Sequence, residues 1–313
     1  MATLNAKNLA LAISSCSDVC TAISDKNHPC HKVVDWQTDK HGTQITEVLG
    51  SKLHRPEPWT GDLDTAKIMF LSSNPSFNPL ENYPNWNPNQ WSDEDISLFG
   101  AERFTMSEER KFGATDSSIK AKQDRTIGFS GERLSKVHHW TWVRRYAAFV
   151  LGKEISDTSA ISDYVMTELV HCKSPKEDGV VEALSHCAEK WFGEIMEISP
   201  ASLIFVTGAK AGERVAQIYG EKIPNDWGSW SSKLGKGKGL WPKSLEDLKE
   251  LVNTGKWSVE AQKRNTCIVE INGIPRMFVY IARNSPGGIP YTPWTVPSLV
   301  DEEILKMWRD QIL

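Results

Sequence analysis

The sequence lacks any apolar run approaching the roughly 18 residues that a membrane-crossing helix needs, so a membrane-spanning protein is not expected. No internal repeat and no low-complexity tract is present in the 313 residues, which argues against a solenoid and against a disordered chain. The apolar stretch Leu9–Ile13 is too short for the core of an export signal and has polar neighbours, so a cytoplasmic location is expected. Surplus positive charge is missing as well. Lys+Arg total 36 against 40 Asp+Glu, a net charge of -4, so nucleic-acid binding driven by overall charge is excluded and only a local basic patch could serve. Six cysteines in an intracellular chain are expected as thiols or metal ligands and not as disulfides. A phosphate-binding P-loop is absent too, because Gly235-Lys236-Gly237-Lys238-Gly239 is not followed by the required Ser or Thr in the required frame.

What is present is a large apolar complement, 40% of residues with 13 Trp, enough for a sizeable core in one elaborated domain or two ordinary ones. Residues 1–60 read as an N-terminal helical cap, with helical spacing from Leu4 to Ile23 and breaks at Asn27-His28-Pro29 and Arg55-Pro56-Glu57-Pro58. Residues 61–313 read as the main domain, with insertions at about 85–135 and 221–264. Ala66–Leu71 is a short apolar run closed by Ser72-Ser73-Asn74-Pro75, and predicts a buried strand entering a loop. Further strands are expected at Val165–Val170, Ser202–Thr207, Cys267–Ile271 and Arg276–Ala282. Helices are expected at His138–Leu151, Val180–Ile198, Ala209–Tyr219 and Leu299–Ile312. Strands alternating with helices predict an α/β fold, a three-layer α/β/α sandwich around a mostly parallel sheet of about four strands, with an N-terminal helical extension. In such sheets ligands bind beyond the carboxyl ends of the strands, so chemistry is sought after Leu71, Val170, Val206 and Ala282.

Three segments at those places carry a shared pattern. The first is Ile68-Met69-Phe70-Leu71-Ser72-Ser73-Asn74-Pro75-Ser76; the second is Thr167-Glu168-Leu169-Val170-His171-Cys172-Lys173-Ser174-Pro175, followed by Cys187 and Pro200–Ala209; the third is Val279–Gly287, with Arg283-Asn284-Ser285-Pro286. In this order they resemble the uracil-DNA glycosylase superfamily, most specifically its iron–sulfur members in the middle segment, with an Asn-type first motif like that of the mismatch-specific members. The resemblance covers roughly residues 66–290. It implies a monofunctional DNA glycosylase that extrudes a base from the stack and hydrolyses its N-glycosidic bond, leaving an abasic site.

On that resemblance Asn74 would orient the attacking water, with Ser73 and Pro75 beside it among the substrate-binding residues; the plain alternative is a turn Asn before Pro. Asn284 would contact the base carbonyl or the DNA backbone, although Pro286 follows Ser285 where the family has it before. Tyr83 lies where the family places a ring that stacks on the flipped base, a contact of roughly 1–3 kcal/mol; Phe77 and Trp86 compete for the role. Glu168 stands where uracil-cleaving relatives carry an Asn that reads the imide edge. An ionised carboxylate there would reject a carbonyl and accept from an exocyclic amine, so it points to a cytosine derivative, marked by a modification such as those of phage DNA. Ordinary uracil repair and an inactive DNA-binding protein of the same fold are the alternatives. Trp86, Trp91, Trp140 and Trp142 would offer room for such a modification. Glu81, Asp93, Glu94 and Asp95 are candidate acids, though a loop this polar more often leaves them in solvent.

Cys172 and Cys187 are separated by 14 residues, close to the pair used by the iron–sulfur glycosylases. An N-terminal pair is taken as Cys16 and Cys20, which a continuous helix would place on one face, with Cys30 also available; a [4Fe–4S] cluster on Cys16, Cys20, Cys172 and Cys187 is one expectation and reduced thiols the other. Cys267 reads as core. The expected partner is DNA, met as a monomer through Arg283, Ser285, Lys173, Lys236 and Lys238, with Arg144 and Arg145 in reserve. Ile289, Tyr291 or Trp294 would be the wedge that fills the gap left by the flipped base.

Overall fold

The computed structural model describes residues 5–35, 53–78, 80–86, 91–103, 125–128, 132–160, 162–228, 265–281, 300 and 302–312, with a few single positions between 246 and 254. The expected single helix over Leu4–Ile23 is broken in two: α1 spans Ala6–Ser14 and α2 spans Asp18–Ser24. The Ser15-Cys16-Ser17 step causes the break, because serines compete with the helix for backbone hydrogen bonds, and the Cys16 amide already turns back to the Ile13 carbonyl at 3.1 Å. A short α3 follows at His31–Asp35.

The remaining helices are α4 at Asp93–Glu102, α5 at His138–Leu151, α6 at Val180–Ile198, α7 at Ala209–Tyr219 and α8 at Glu302–Ile312. Asp93 and Asp95, candidate acids on sequence, serve α4 instead: Ser92 and Asp95 form a reciprocal capping box, and Asp93 and Glu94 fill the first turn, where negative charge is favoured.

The fold is α/β, and the sheet has five strands where about four were expected. In chain order β1 is Ile68–Ser72, β4 Tyr164–Glu168, β5 Leu203–Thr207, β6 Thr266–Ile271 and β7 Ile274–Ile281, joined in the order β4-β1-β5-β7-β6. A separate antiparallel pair, β2 at Arg125–Ile127 and β3 at Arg133–Lys136, lies in the insertion. β5 is parallel to both β1 and β7, whereas β6 is antiparallel to β7. The two-residue turn Asn272-Gly273 makes that hairpin, both residues having positive φ (54° and 76°) as the tight primed turns require. Ile68–Leu71 and the whole of β5 are buried, which is why these strands read as unbroken apolar runs and not as alternating ones.

The chain forms two compact units. One comprises Met1–Ala66, Ser72–Trp140 and Ala160–Pro200, so the N-terminal helices belong with the exit of β1 and with β4 and α6. The other comprises Lys67–Leu71, Thr141–Ser159 and Ala201–Leu313. Its core stacks Phe70 on Phe205 (5.0 Å) and sets Tyr146 against Phe205 and Trp142. Each such ring contributes about 1.5–3 kcal/mol by burial. Arg276, fully buried, donates to the Ala201 carbonyl at 2.9 Å, and α8 is tied in by Trp308 Nε1 to Ser202 Oγ (3.0 Å). No helix among the described residues is long and apolar enough to cross a membrane.

Candidate active site and thiol pocket

The ladder between β1 and β4 continues past the strands themselves, with Leu169 N donating to Ser72 O at 3.0 Å and Val170 N to Ser73 O at 2.9 Å. The exits of two neighbouring strands are therefore clamped side by side, and on them stand Asn74 and Glu168. Asn74 is half-buried, and its Nδ2 donates to both Ser174 Oγ (3.0 Å) and the Pro75 carbonyl (3.1 Å). With both amide hydrogens engaged, Oδ1 is left as the acceptor, fixed in direction and suited to hold a water by one of its hydrogens.

Glu168 ends β4 and is 9% exposed. Oε1 meets the Ser72 hydroxyl at 3.5 Å, and Oε2 is buried without a hydrogen-bond partner among the described residues. Burial, reinforced by the negative charge of Glu57, pushes this carboxyl up to about 8 against the pull of Lys173 and Arg103. The ionised Glu168 expected from sequence is therefore corrected to a protonated acid near neutral pH, because strand pairing with the Ser72–Ser73 segment removes it from water. A neutral carboxyl both donates and accepts. It can pair with the amine and N3 of a cytosine edge, or, turned over, with the imide of uracil.

Behind it lies an ion network that the sequence did not reveal. Arg103 Nη1 bonds Glu57 Oε1 at 3.1 Å, Arg103 Nη2 bonds Glu81, and Lys173 Nζ sits 2.6 Å from Glu57 Oε2 and 3.7 Å from Glu81 Oε2, all four side chains being buried. Burial alone would raise the Glu57 carboxyl, but Lys173 and Arg103 outweigh it and hold it down at about 2. Glu81 is thus a structural ion-pair partner.

Two expectations fail at this network. Lys173 cannot reach a DNA phosphate: it is 3% exposed and committed to two carboxylates. Tyr83 cannot stack on a base, since His54 stacks on its ring at 5.1 Å and 23°, Lys173 Nζ sits 4.0 Å from the ring centroid, and the side chain is 2% exposed. Phe77 is half-buried beside His54 and keeps the stacking role open. Nor do the tryptophans form a common chamber. Trp86 lies under Arg55, Trp91 against Phe99, Trp140 under Arg103 and Trp142 against Tyr146. Arg144 and Arg145 are half-buried on α5.

Ser174 is joined by Glu177 in bracing the Asn74 loop. Ser73 Oγ donates to Glu177 Oε1, and Ser174 N to Pro75 O at 3.4 Å. Glu177 is exposed, and with Lys176 it holds the left-handed conformation at two successive non-glycine positions, φ 53° and 60°, each costing roughly 1–3 kcal/mol.

A second centre lies in the same unit. Cys16, Cys30, Cys172 and Cys187 line one small pocket together with Val19, Pro56 and Trp191, and with Asp18, His171 and His186. Cys20 does not join them; once the helix breaks at Ser15–Ser17 it falls on the exposed side of α2, and Cys30, just before α3, takes the place. None of the four is in a disulfide. Burial raises every one of these thiols, Cys30 and Cys187 to about 12, so they are protonated unless a cation is present. Lys190 Nζ donates toward Cys16 Sγ at 3.5 Å. Among the described residues only Asp18, His28 and His186 bring three ligand atoms within 4.8 Å of one another. No three of the four thiols lie within 4.8 Å of one another. Cys267 lies apart, buried in β6.

Arg283, Asn284, Ser285, Lys236, Lys238, Ile289, Tyr291 and Trp294 lie outside the described residues. No protein-family model matches the chain, and no curated protein is significantly similar to it.

Proposed function

We propose that the chain is a monofunctional DNA glycosylase that flips a base out of DNA and hydrolyses its N-glycosidic bond, acting on a modified cytosine in foreign DNA such as that of a phage. The observation that carries this reading is the pairing of a water-orienting amide, Asn74, with a buried protonated acid, Glu168, on two clamped strand exits. Water held at Asn74 Oδ1 adds to the anomeric carbon as the bond to the base breaks. Uracil can depart as a delocalised anion. A cytosine carries an unprotonated N3 and is the poorer leaving group, so an acid held protonated at about 8 fits a base that must gain a proton to leave. That Glu168 can also pair with an imide edge supports uracil removal as the second reading.

On this reading Cys16, Cys30, Cys172 and Cys187, which line one pocket, would hold a [4Fe–4S] cluster. Its contribution would be structural, tying α1–α3 to α6 and to the loop that runs from β4 into Lys173 and Ser174.

One panel tests the function: the protein is incubated with duplexes bearing uracil, 5-hydroxymethylcytosine or its glucosylated form, and abasic sites are revealed with alkali. Strand breaks at a cytosine derivative are expected. Breaks only at uracil would select the second reading, and none at all would remove the glycosylase. Asn74→Ala should lower the single-turnover rate at least about 100-fold, the scale of a misplaced reactant, with an unchanged unfolding midpoint; full activity would sink the assignment of Asn74.

A further inference from the structure

Resting on the glycosylase reading, we infer that Glu177 is the general base that takes the proton from the attacking water. An amide orients water but is far too weak a base to accept its proton. No other carboxylate among the described residues is shown bonded to the Ser73–Pro75 loop. Asp93 and Asp95 are engaged at the start of α4, Glu57 and Glu81 are locked in ion pairs with Arg103 and Lys173, and Glu168 serves as an acid.

Glu177 is placed for the task by a turn that folds back on the loop. Pro175 to Asp178 closes through Asp178 N to Pro175 O at 3.0 Å. Three bonds then latch this turn and the residue before it to consecutive residues of the loop: Glu177 Oε1 accepts from the Ser73 hydroxyl, Ser174 Oγ accepts from Asn74 Nδ2, and Ser174 N donates to Pro75 O. The carboxylate is thereby held against the residue adjoining Asn74. Lys176 and Glu177 adopt a backbone conformation that neither residue favours. The side chain is exposed, so a proton received there returns to solvent.

The chemistry balances. As the bond from C1′ to the base nitrogen breaks, its electron pair leaves with the base, which receives a proton from Glu168. The water oxygen, held by Asn74, bonds to C1′ and yields one proton to the Glu177 carboxylate. The products are the abasic sugar with a C1′ hydroxyl and the free base.

The test uses the whole protein and single-turnover excision from whichever duplex the wild type cleaves. Glu177→Ala is expected to slow excision about 10²–10⁴-fold with unchanged duplex affinity, and added formate, a small external carboxylate, should restore part of the rate. Ser73→Ala, which removes the brace but keeps the carboxylate, should lose less and ignore formate. Glu177→Ala at the wild-type rate overturns the proposal, and so does a slow variant that ignores formate and is matched by Ser73→Ala. A wild type that releases no base from any duplex overturns the glycosylase reading itself.

Discussion

Glu57 and Glu168 are two buried carboxyl groups in the same unit, and their surroundings drive them in opposite directions. Glu57 is gripped by Arg103 and Lys173 and stays ionised down to about 2. Glu168 has a hydroxyl neighbour and an oxygen with no hydrogen-bond partner among the described residues, and keeps its proton up to about 8. Their difference shows that charge which is compensated builds the scaffold, while the group left uncompensated is the one able to do chemistry. The two are also linked, for the charge on Glu57 is part of what keeps Glu168 neutral.

The sharpest way to break the comparison is to remove the proton itself. Glu168→Gln keeps a donor and an acceptor but cannot ionise, so excision of a cytosine derivative should fall about 10²–10⁴-fold near neutral pH. The wild-type decline in rate as pH rises through about 8 should vanish in that variant; if the decline persists, another group is responsible. Next in size, Lys173→Met strips one cation from the network and should cost about 3–5 kcal/mol in a denaturant titration. It should also shift the alkaline decline in rate upward, since Lys173 opposes the protonated form of Glu168. A loss typical of an exposed lysine would show that the network is not a unit.

Smaller still is the pH dependence of stability, where the signs are opposite for the two acids. Glu168 holds its proton in the folded chain where the unfolded chain has released it, so it subtracts stability as pH rises from the ordinary carboxylate range to about 8, by up to about 1.4 kcal/mol per pH unit. Glu57 adds stability that is complete above the ordinary range and lost as pH falls through about 2. Urea midpoints of wild type and Glu168→Gln should therefore diverge progressively from the ordinary carboxylate range near 4.5 up to about pH 8 and run parallel above it, and curves parallel throughout would refute the shift. The mildest comparison concerns the thiols: Cys30→Ser should lower bound iron and Cys20→Ser should not, as read by iron analysis of anaerobically purified protein.

Local chemistry made the strands legible in sequence. Ile68–Leu71 and Leu203–Thr207 are buried throughout, and a continuous apolar run records that directly. Asn74 was legible through the pattern of the loop it stands in. The rest depended on partners far along the chain. Nothing near Lys173 announces Glu57 and Glu81, and nothing near Tyr83 announces that His54 covers its ring. Glu168 could be read as a carboxyl but not as a protonated one, since its state depends on the Ser72 exit and on Glu57. Cys20 shares a face with Cys16 only if one helix runs through Ser15-Cys16-Ser17, and the serines of that run favour the break that is found. For Glu177 the only available signal was the Pro175-to-Gly179 frame of a tight turn.

Gly179 caps α6 with φ 72°, and a Cβ placed there would lie 2.2 Å from the backbone nitrogen of Val33, three residues beyond Cys30. On one side of this glycine is the turn bearing Ser174 and Glu177; on the other, α6 runs on to Cys187. The Cys30 segment and the Glu177 turn thus meet with no side chain on the glycine to hold them apart, three residues from Cys30 on one side and two from Glu177 on the other. A side chain at position 179 would therefore press on the Cys30 segment and on the Glu177 turn at once.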